Sequence, residues 1–130
     1  MTDLIEVNTA ALSGEALGWA VGKAQGLDLH LEPPQYGDGW RVFAIYRGDA
    51  TERCERYDPW SSWELGGPLI QSQGVSLHCP QHDGDCWAAW ITKDGKDVAQ
   101  GGGLVLPAAC RAIVAHELGD TVQVPKELLP

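Results

Sequence analysis

The stretch that decides the fold is Asp58-Pro59-Trp60-Ser61-Ser62-Trp63-Glu64-Leu65-Gly66-Gly67-Pro68, followed by the apolar pair Leu69-Ile70. Two indoles lie three residues apart, and indole is a large, stiff, amphipathic group that sits at the edge of a core or in a binding groove. Glycine permits backbone angles with positive φ, and proline fixes its own φ. The pattern therefore predicts an aromatic surface, then a Gly-Gly-Pro turn that directs the chain into its next strand.

The length and composition of the chain are typical of one ordinary globular domain. A chain of 130 residues with 44% hydrophobic content can bury a core without disulfide or metal staples. The formal net charge is −9, from 18 acidic and 9 basic side chains. Because recognition of a nucleic acid begins with a positive footprint facing the phosphates, this charge argues against direct nucleic-acid binding.

No apolar run approaches the roughly 18 residues that span a bilayer. The segment from Met1 to Glu6 has early acids and no basic region, so it does not predict a signal peptide. We therefore expect a cytoplasmic protein without a membrane partner. In that compartment the four cysteines, Cys54, Cys79, Cys86 and Cys110, would be mostly reduced thiols.

The first half of the chain alternates strands with one helix. Ser13 is a good N-cap, Gly26 is a natural stop, and small and apolar residues between them recur at spacings of three and four, which predicts a helix over 13–25. Alternating patterns predict strands over 3–8, 27–31 and 40–46, the last apolar on both faces and therefore central. Turn chemistry occupies 36–39, and the charged segment 47–57 indicates an exposed loop.

The second half predicts three strands and a second helix. The strands cover 69–78, with a break at Gly74, then 86–92, and 120–124; a hydrophilic loop covers 79–85, and a turn covers 93–96. Gly101-Gly102-Gly103 is typical of a flexible connector, and Pro107 opens a helix over 107–118. The predicted fold class is α+β: a mostly antiparallel sheet with the helices at about 13–25 and 107–118 packed on one face.

Three segments together resemble a known family. Residues 12–26 resemble its opening helix, Asp58–Trp63 with Gly66–Ile70 its central signature, and Pro107–Pro125 its closing helix and strand. The family is the NinX-like group of small phage and prophage proteins, a domain family of unknown function. The resemblance implies a phage or prophage origin and action in the cytoplasm of an infected bacterium, and it assigns no catalytic residues. Segments 47–57 and 79–85 depart from the family pattern.

The segment from His78 to Cys86 carries the spacing of a metal site. Two residues separate Cys79 from His82 and three separate His82 from Cys86, which suits tetrahedral zinc, with Cys54 or His78 as a fourth ligand. The alternative is a solvent-exposed loop between two strands. Because a structural zinc site usually shows a second paired knuckle, the loop is the favoured interpretation, and we expect neither metal nor cofactor.

Nucleophilic catalysis has weak support. Cys110 lies inside the second helix, where a buried thiol behaves as a small hydrophobe. Cys54 lies beside Arg53 and Arg56, which could lower its pKa, but the sequence names no partner base. His116 near a helix C-terminus is in a position where positive charge is favourable. The sequence therefore predicts no catalytic residue.

The remaining functional signal is the tryptophan stretch. One interpretation is structural: both indoles cap the sheet. The other is a groove for a ligand or partner, and both hold if one indole points inward and the other outward. The predicted binding residues are Tyr57, Asp58, Trp60, Trp63, Gly66 and Gly67.

Three functions stay open at this point. The first is a non-enzymatic phage accessory protein that binds a host protein or a small metabolite. The second is a small Cys/His-dependent or zinc-dependent enzyme. The third is a homo-oligomeric structural or assembly protein, for which an exposed apolar patch should drive association.

Overall fold

The structure is a computed structural model that describes residues 3–37 and 39–130. Residues Met1 and Thr2 of the N-terminal segment, and Asp38 of the turn predicted over 36–39, lie outside the described residues. The helices are α1 (Gly14–Ala24), α2 (Trp63–Gln73) and α3 (Val105–Leu118). The strands are β1 (Leu4–Asn8), β2 (Asp28–Glu32), β3 (Arg41–Arg47), β4 (Glu52–Arg56), β5 (Ser76–His78), β6 (Trp87–Lys93), β7 (Lys96–Gly102) and β8 (Thr121–Pro125).

The strands form three small antiparallel sheets rather than one. The first and last strands pair as β1–β8, with Leu4 opposite Pro125. The second sheet has the order β2-β3-β4, so β3 is central, as its two apolar faces predict. The third has the order β5-β6-β7, and its β6–β7 hairpin turns through Asp94 and Gly95, both with positive φ. The α+β class and the antiparallel pairing are confirmed. The predictions of a single sheet and of two helices are wrong, because the strands form three sheets and α2 is a third helix.

Helix α3 is the centre of the molecule. It packs against α1, α2, β6, β7 and β8. Most of its side chains are buried, and alanine is frequent among them, which lets its neighbours approach closely: Leu106, Ala108, Ala109, Cys110, Ala112, Ile113, Val114 and Ala115. One buried cluster joins α3 to α1, β3 and β8, and a second joins it to β6.

The prediction of a turn and then a strand over 69–78 is wrong. Gly66, Gly67 and Pro68 lie inside α2, and only Ser76–His78 is a strand. The helix ends at Gly74, whose φ of 66° is the left-handed conformation that glycine adopts readily. Local propensity opposes a helix at Gly-Gly-Pro, so tertiary packing must override it.

Two further predictions from local composition are wrong. The segment 47–57 contains a strand, β4, whose charged residues sit on the exposed edge of a sheet while its backbone pairs with β3. The glycines predicted as a flexible connector are largely in β7, which includes Gly101 and Gly102. A Cβ on Gly102 would lie 2.9 Å from the Ala108 nitrogen, so this glycine lets α3 sit directly against the strand.

Partly buried charges tie α1 to the second sheet. One carboxylate oxygen of Glu15 accepts hydrogen bonds from the Val42 amide and from Arg56, both at 2.9 Å, and its other oxygen pairs with the same guanidinium. Arg56 also donates to the Val42 carbonyl at 3.0 Å. Charge-assisted bonds of this kind are stronger than neutral ones. The pair therefore fixes the first turn of α1 against β3 and β4.

Polar side chains also hold α3 in place, one from the middle of the helix and one near its C-terminal end. Arg111 donates to the carbonyls of Leu12 and Gly101, each at 2.8 Å. His116 is 3% exposed, and its Nε2 lies 3.0 Å from the carbonyl oxygen of Lys93 in the β6–β7 hairpin. These contacts fix the helix whose N-terminal turn forms part of the site described next.

Candidate functional site

An open cleft of about 560 Å³ lies where three elements meet. The loop before α2 and the first residue of α2 form one wall, the start of β6 contributes an indole, and the first turn of α3 forms the opposite wall. The lining residues are Trp60, Ser61, Trp63, Trp87, Leu104, Val105, Leu106 and Pro107. We call this the tryptophan cleft. None of its eight lining side chains carries a formal charge.

The two indoles of the Asp58–Pro68 stretch have different surroundings. Trp60 is partly buried and packs on the main core, where a Cβ on Gly18 would lie 3.2 Å from its Cδ1 and Nε1 atoms. The pyrrole edge therefore faces α1, and the benzene edge is left for the cleft. Its buried Nε1 has no hydrogen-bond partner within the described residues. Trp63 is 58% exposed and stands at the rim.

A compact turn connects these two indoles. The amides of Ser61 and Ser62 both donate to the Asp58 carbonyl, at 3.0 and 2.9 Å, and the Ser61 hydroxyl lies 3.2 Å from the Asp58 carboxylate. Pro59, which precedes Trp60, is fully buried. The turn therefore rests on a buried base and presents both rings towards α3.

The opposite wall belongs to the core helix. Leu106 is 4% exposed and Ala108 is fully buried, whereas Leu104 is 69% exposed. Gly66 makes the contact between the two walls, since a Cβ there would lie 2.6 Å from Leu106 Cδ2 and from the Pro59 carbonyl oxygen. Only glycine fits this approach without a shift of its neighbours. The close contact holds α2 against the first turn of α3, beside the cleft.

The structure gathers some of the predicted binding residues and separates others. Trp60 and Trp63 line the cleft, and Asp58 braces the turn behind them. Tyr57 is buried on the other side, in a hollow with Tyr46 and Leu65, and burial raises the pKa of its phenol. The Gly66 amide donates to the Ser62 carbonyl at 2.8 Å, so it is engaged within α2.

Sequence reasoning missed the other half of the cleft. Trp87 and the segment 104–107 come from distant parts of the chain, and nothing in their local pattern points to the Asp58–Pro68 stretch. It also missed a shallow hollow of about 550 Å³ that Trp19 and Trp40 line with β2. The abundance of tryptophan, six in 130 residues, was the available signal for both.

The residues that suggested zinc lie on an exposed loop. Cys79, His82 and Cys86 are all exposed, and in residues 3–37 and 39–130 no three His, Cys, Asp or Glu side chains gather as a metal site. Asp85 organises this loop by accepting hydrogen bonds from the Gln81 and Cys86 amides, at 2.9 and 2.8 Å. Those two bonds lower the pKa of the Asp85 carboxyl.

The candidate nucleophiles lie in unfavourable surroundings. Burial raises the pKa of the Cys110 thiol to about 12, so it is protonated at neutral pH. Cys54 is exposed on β4, but the adjacent arginines are engaged with carboxylates, Arg53 with Glu55 and Arg56 with Glu15. His116 bonds the Lys93 carbonyl rather than a thiol.

The fold and this site define a small α+β protein that carries an uncharged aromatic cleft. Residues 8–117 match the family described as bacteriophage P22, NinX, and the chain belongs to that phage protein family. The matched range includes only the last residue of β1 and ends before β8. No curated protein matches the chain. Within the described part of the chain, no helix is long and apolar enough to cross a bilayer.

Proposed function

We propose that this phage accessory protein is a non-enzymatic binder that holds a flat, uncharged aromatic ring of a small molecule in the tryptophan cleft. The supporting observation is the cleft itself: three indoles and the first turn of α3 surround about 560 Å³. Small-molecule sites commonly have volumes of about 300–1,000 Å³ and mainly apolar walls. Such a protein would act in the cytoplasm of the infected cell by sequestering its ligand.

The chemistry of the walls selects the ligand class. Indoles favour offset stacking and edge-to-face contact with another ring. The Ser61 hydroxyl is the one polar side chain apart from the indole nitrogens, and it is already close to the Asp58 carboxylate. A ligand whose main contact is a charged group would lose its hydration without gaining a side-chain counter-ion here. A neutral heteroaromatic ring, such as a nucleobase, fits best.

Titration with adenosine, guanosine, thymidine and indole tests this proposal. Six indole N–H groups give six signals in an NMR spectrum of the 15N-labelled protein. We expect the signals of Trp63 and Trp87 to move with at least one probe. Replacing either residue with alanine should weaken binding roughly tenfold, because stacking of a base on an aromatic side chain contributes about 1–3 kcal/mol.

Trp90→Ala is the matched control. Trp90 lies in the same strand as Trp87 but faces away from α3, is 37% exposed and does not line the cleft. It should bind like the unmodified protein. If no probe moves the Trp63 or Trp87 signal at millimolar concentration, the small-molecule proposal fails.

Two competing functions predict other outcomes. A host protein that docks here would be captured from lysate by the unmodified chain and lost with Trp63→Ala, with no response to the small probes. An assembly protein would self-associate through the exposed Trp63 and Leu104 side chains, so light scattering should show a mass above one chain. If the protein is instead a Cys/His-dependent enzyme, replacing Cys79, His82 and Cys86 together should abolish the phenotype that the unmodified protein produces in the host cell.

A further inference from the structure

We infer that the turn which carries Trp63 is a lid on the tryptophan cleft. We define the lid as residues 61–65, from Ser61 to Leu65. This inference rests on the proposed function for its purpose, but its physical basis is separate. The lid belongs to a helix that its own sequence disfavours. It is held at its first residues by the hydrogen bonds of the Ser61 and Ser62 amides to the Asp58 carbonyl, and just after its last residue by the packing of Gly66 against Leu106.

The covalent structure weakens the junction between the lid and the rest of α2. Pro68 has no N–H, so the Glu64 carbonyl lacks the usual donor four residues further along the helix. Gly66 and Gly67 add the conformational freedom that makes glycine a poor residue in a helix interior. The lid is therefore tied to the helix body by fewer backbone bonds than an ordinary first turn.

The N-terminal side of the lid is held through one residue, Asp58, whose carbonyl accepts from the Ser61 and Ser62 amides and whose carboxylate contacts the Ser61 hydroxyl. No side-chain hydrogen bond caps α2, although Ser62 occupies the N-cap position. The Leu65 amide reaches the Ser62 carbonyl at 3.2 Å, and the Gly66 amide reaches it at 2.8 Å. Trp63 and Glu64 are exposed, whereas Leu65 is partly buried against the main core, so opening of the lid must break the Leu65 contact but little other packing.

Fixed points on both sides confine the movement to the lid. Trp60 is packed against Gly18 of α1, and Gly66 is in close contact with Leu106 and the Pro59 carbonyl. The far wall is part of the buried helix α3. Opening of residues 61–65 would therefore swing Trp63 away from a cleft that otherwise keeps its shape. Closing would place the indole over a bound ring.

Hydrogen exchange in the free protein tests the inference without any ligand. We expect the Leu65 and Gly66 amides to exchange much faster than the amides in the middle of α3. Gly67→Ala has room, with the nearest atom, Trp63 Cε3, 4.0 Å from the new Cβ, and it should slow that exchange about two- to five-fold. Pro68→Ala supplies the missing N–H donor and should slow it about tenfold or more.

Fluorine NMR provides a second readout. In protein labelled with 5-fluorotryptophan, the Trp63 signal should show exchange between an open and a closed environment on the microsecond-to-millisecond timescale of lid motions. Pro68→Ala should shift the populations towards the closed environment. The Trp87 signal should stay single. Gly48→Ala, in the β3–β4 loop, is the control and should change neither readout.

Two results would overturn the proposal that residues 61–65 act as a lid. One is exchange of the Leu65 and Gly66 amides as slow as that of the α3 core. The other is a single narrow Trp63 signal that Pro68→Ala leaves unchanged. Either result leaves the small-molecule proposal intact, because a rigid cleft still binds the probes. Failure of every probe to bind would leave the lid measurements unaffected.

Discussion

Two adjacent glycines of α2 should respond to alanine in opposite directions. At Gly66, a new Cβ would meet Leu106 Cδ2 and the Pro59 carbonyl oxygen, both at 2.6 Å. At Gly67, the nearest atom is Trp63 Cε3 at 4.0 Å. Neither backbone has a positive φ, so alanine fits both helical conformations. The pair therefore isolates the cost of contact between α2 and α3.

The magnitude follows from two opposing contributions. Alanine in place of glycine in a helix interior stabilises by about 1 kcal/mol. Overpacking costs about 1–3 kcal/mol, and the upper half of that range applies to Gly66 because one of the two close atoms is a backbone carbonyl. We expect Gly66→Ala to lower the free energy of unfolding by about 1–2 kcal/mol and Gly67→Ala to raise it by up to about 1 kcal/mol.

Urea titration followed by circular dichroism measures both changes. The difference between the variants, about 2–3 kcal/mol, is the safer quantity because the helix contribution cancels. It corresponds to roughly 6–15 °C in Tm for a domain of this size. Equal shifts of the same sign in the two variants would refute the close contact between Gly66 and Leu106.

Three further perturbations test the rest of the structure. Arg56→Ala should lower the free energy of unfolding by about 1–3 kcal/mol in urea titration, because it leaves the partly buried Glu15 carboxylate with the Val42 amide alone. Arg53→Ala, on the exposed face, is the control and should change the free energy of unfolding little. His116→Ala should cost about 2–4 kcal/mol, since it removes a buried ring and leaves the Lys93 carbonyl without that partner; stability equal to that of the unmodified chain would contradict the contact. The raised pKa of Cys110, about 12 against an ordinary 9.0, means that the unfolded chain releases this proton first. The contribution to stability is therefore complete below pH 9 and lost as the pH rises towards 12, and Cys110→Ala should flatten that loss in urea titrations across this range.

The sequence predicted α1 and α3 because their signals are local. Ser13 and Gly26 bracket an apolar stripe, and Pro107 lies in the first turn of the second helix; the structure confirms both, with α3 beginning at Val105. The predicted turn over 93–96 is local in the same way and is also confirmed, and the structure shows that it joins β6 and β7 as a hairpin.

The failures have a common physical cause. Gly66, Gly67 and Pro68 oppose a helix locally, and the contact that stabilises one comes from Leu106, far along the chain. Four of the five residues of β4 are charged, and its pairing with β3 is what makes it a strand. The site follows the same division: the indoles at Trp60 and Trp63 were visible in the sequence, while Trp87 and the first turn of α3 join them only through tertiary packing.

The pairing of the first strand with the last determines when folding of this protein can finish. β1 finds its only described strand partner in β8, and α3, on which both core clusters depend, precedes β8 by a few residues. During synthesis, β1 therefore cannot pair until residues 121–125 have emerged from the ribosome. The same pairing places Leu4 opposite Pro125, so a short linker could join these two strands and new termini could be opened in the exposed loop between β3 and β4.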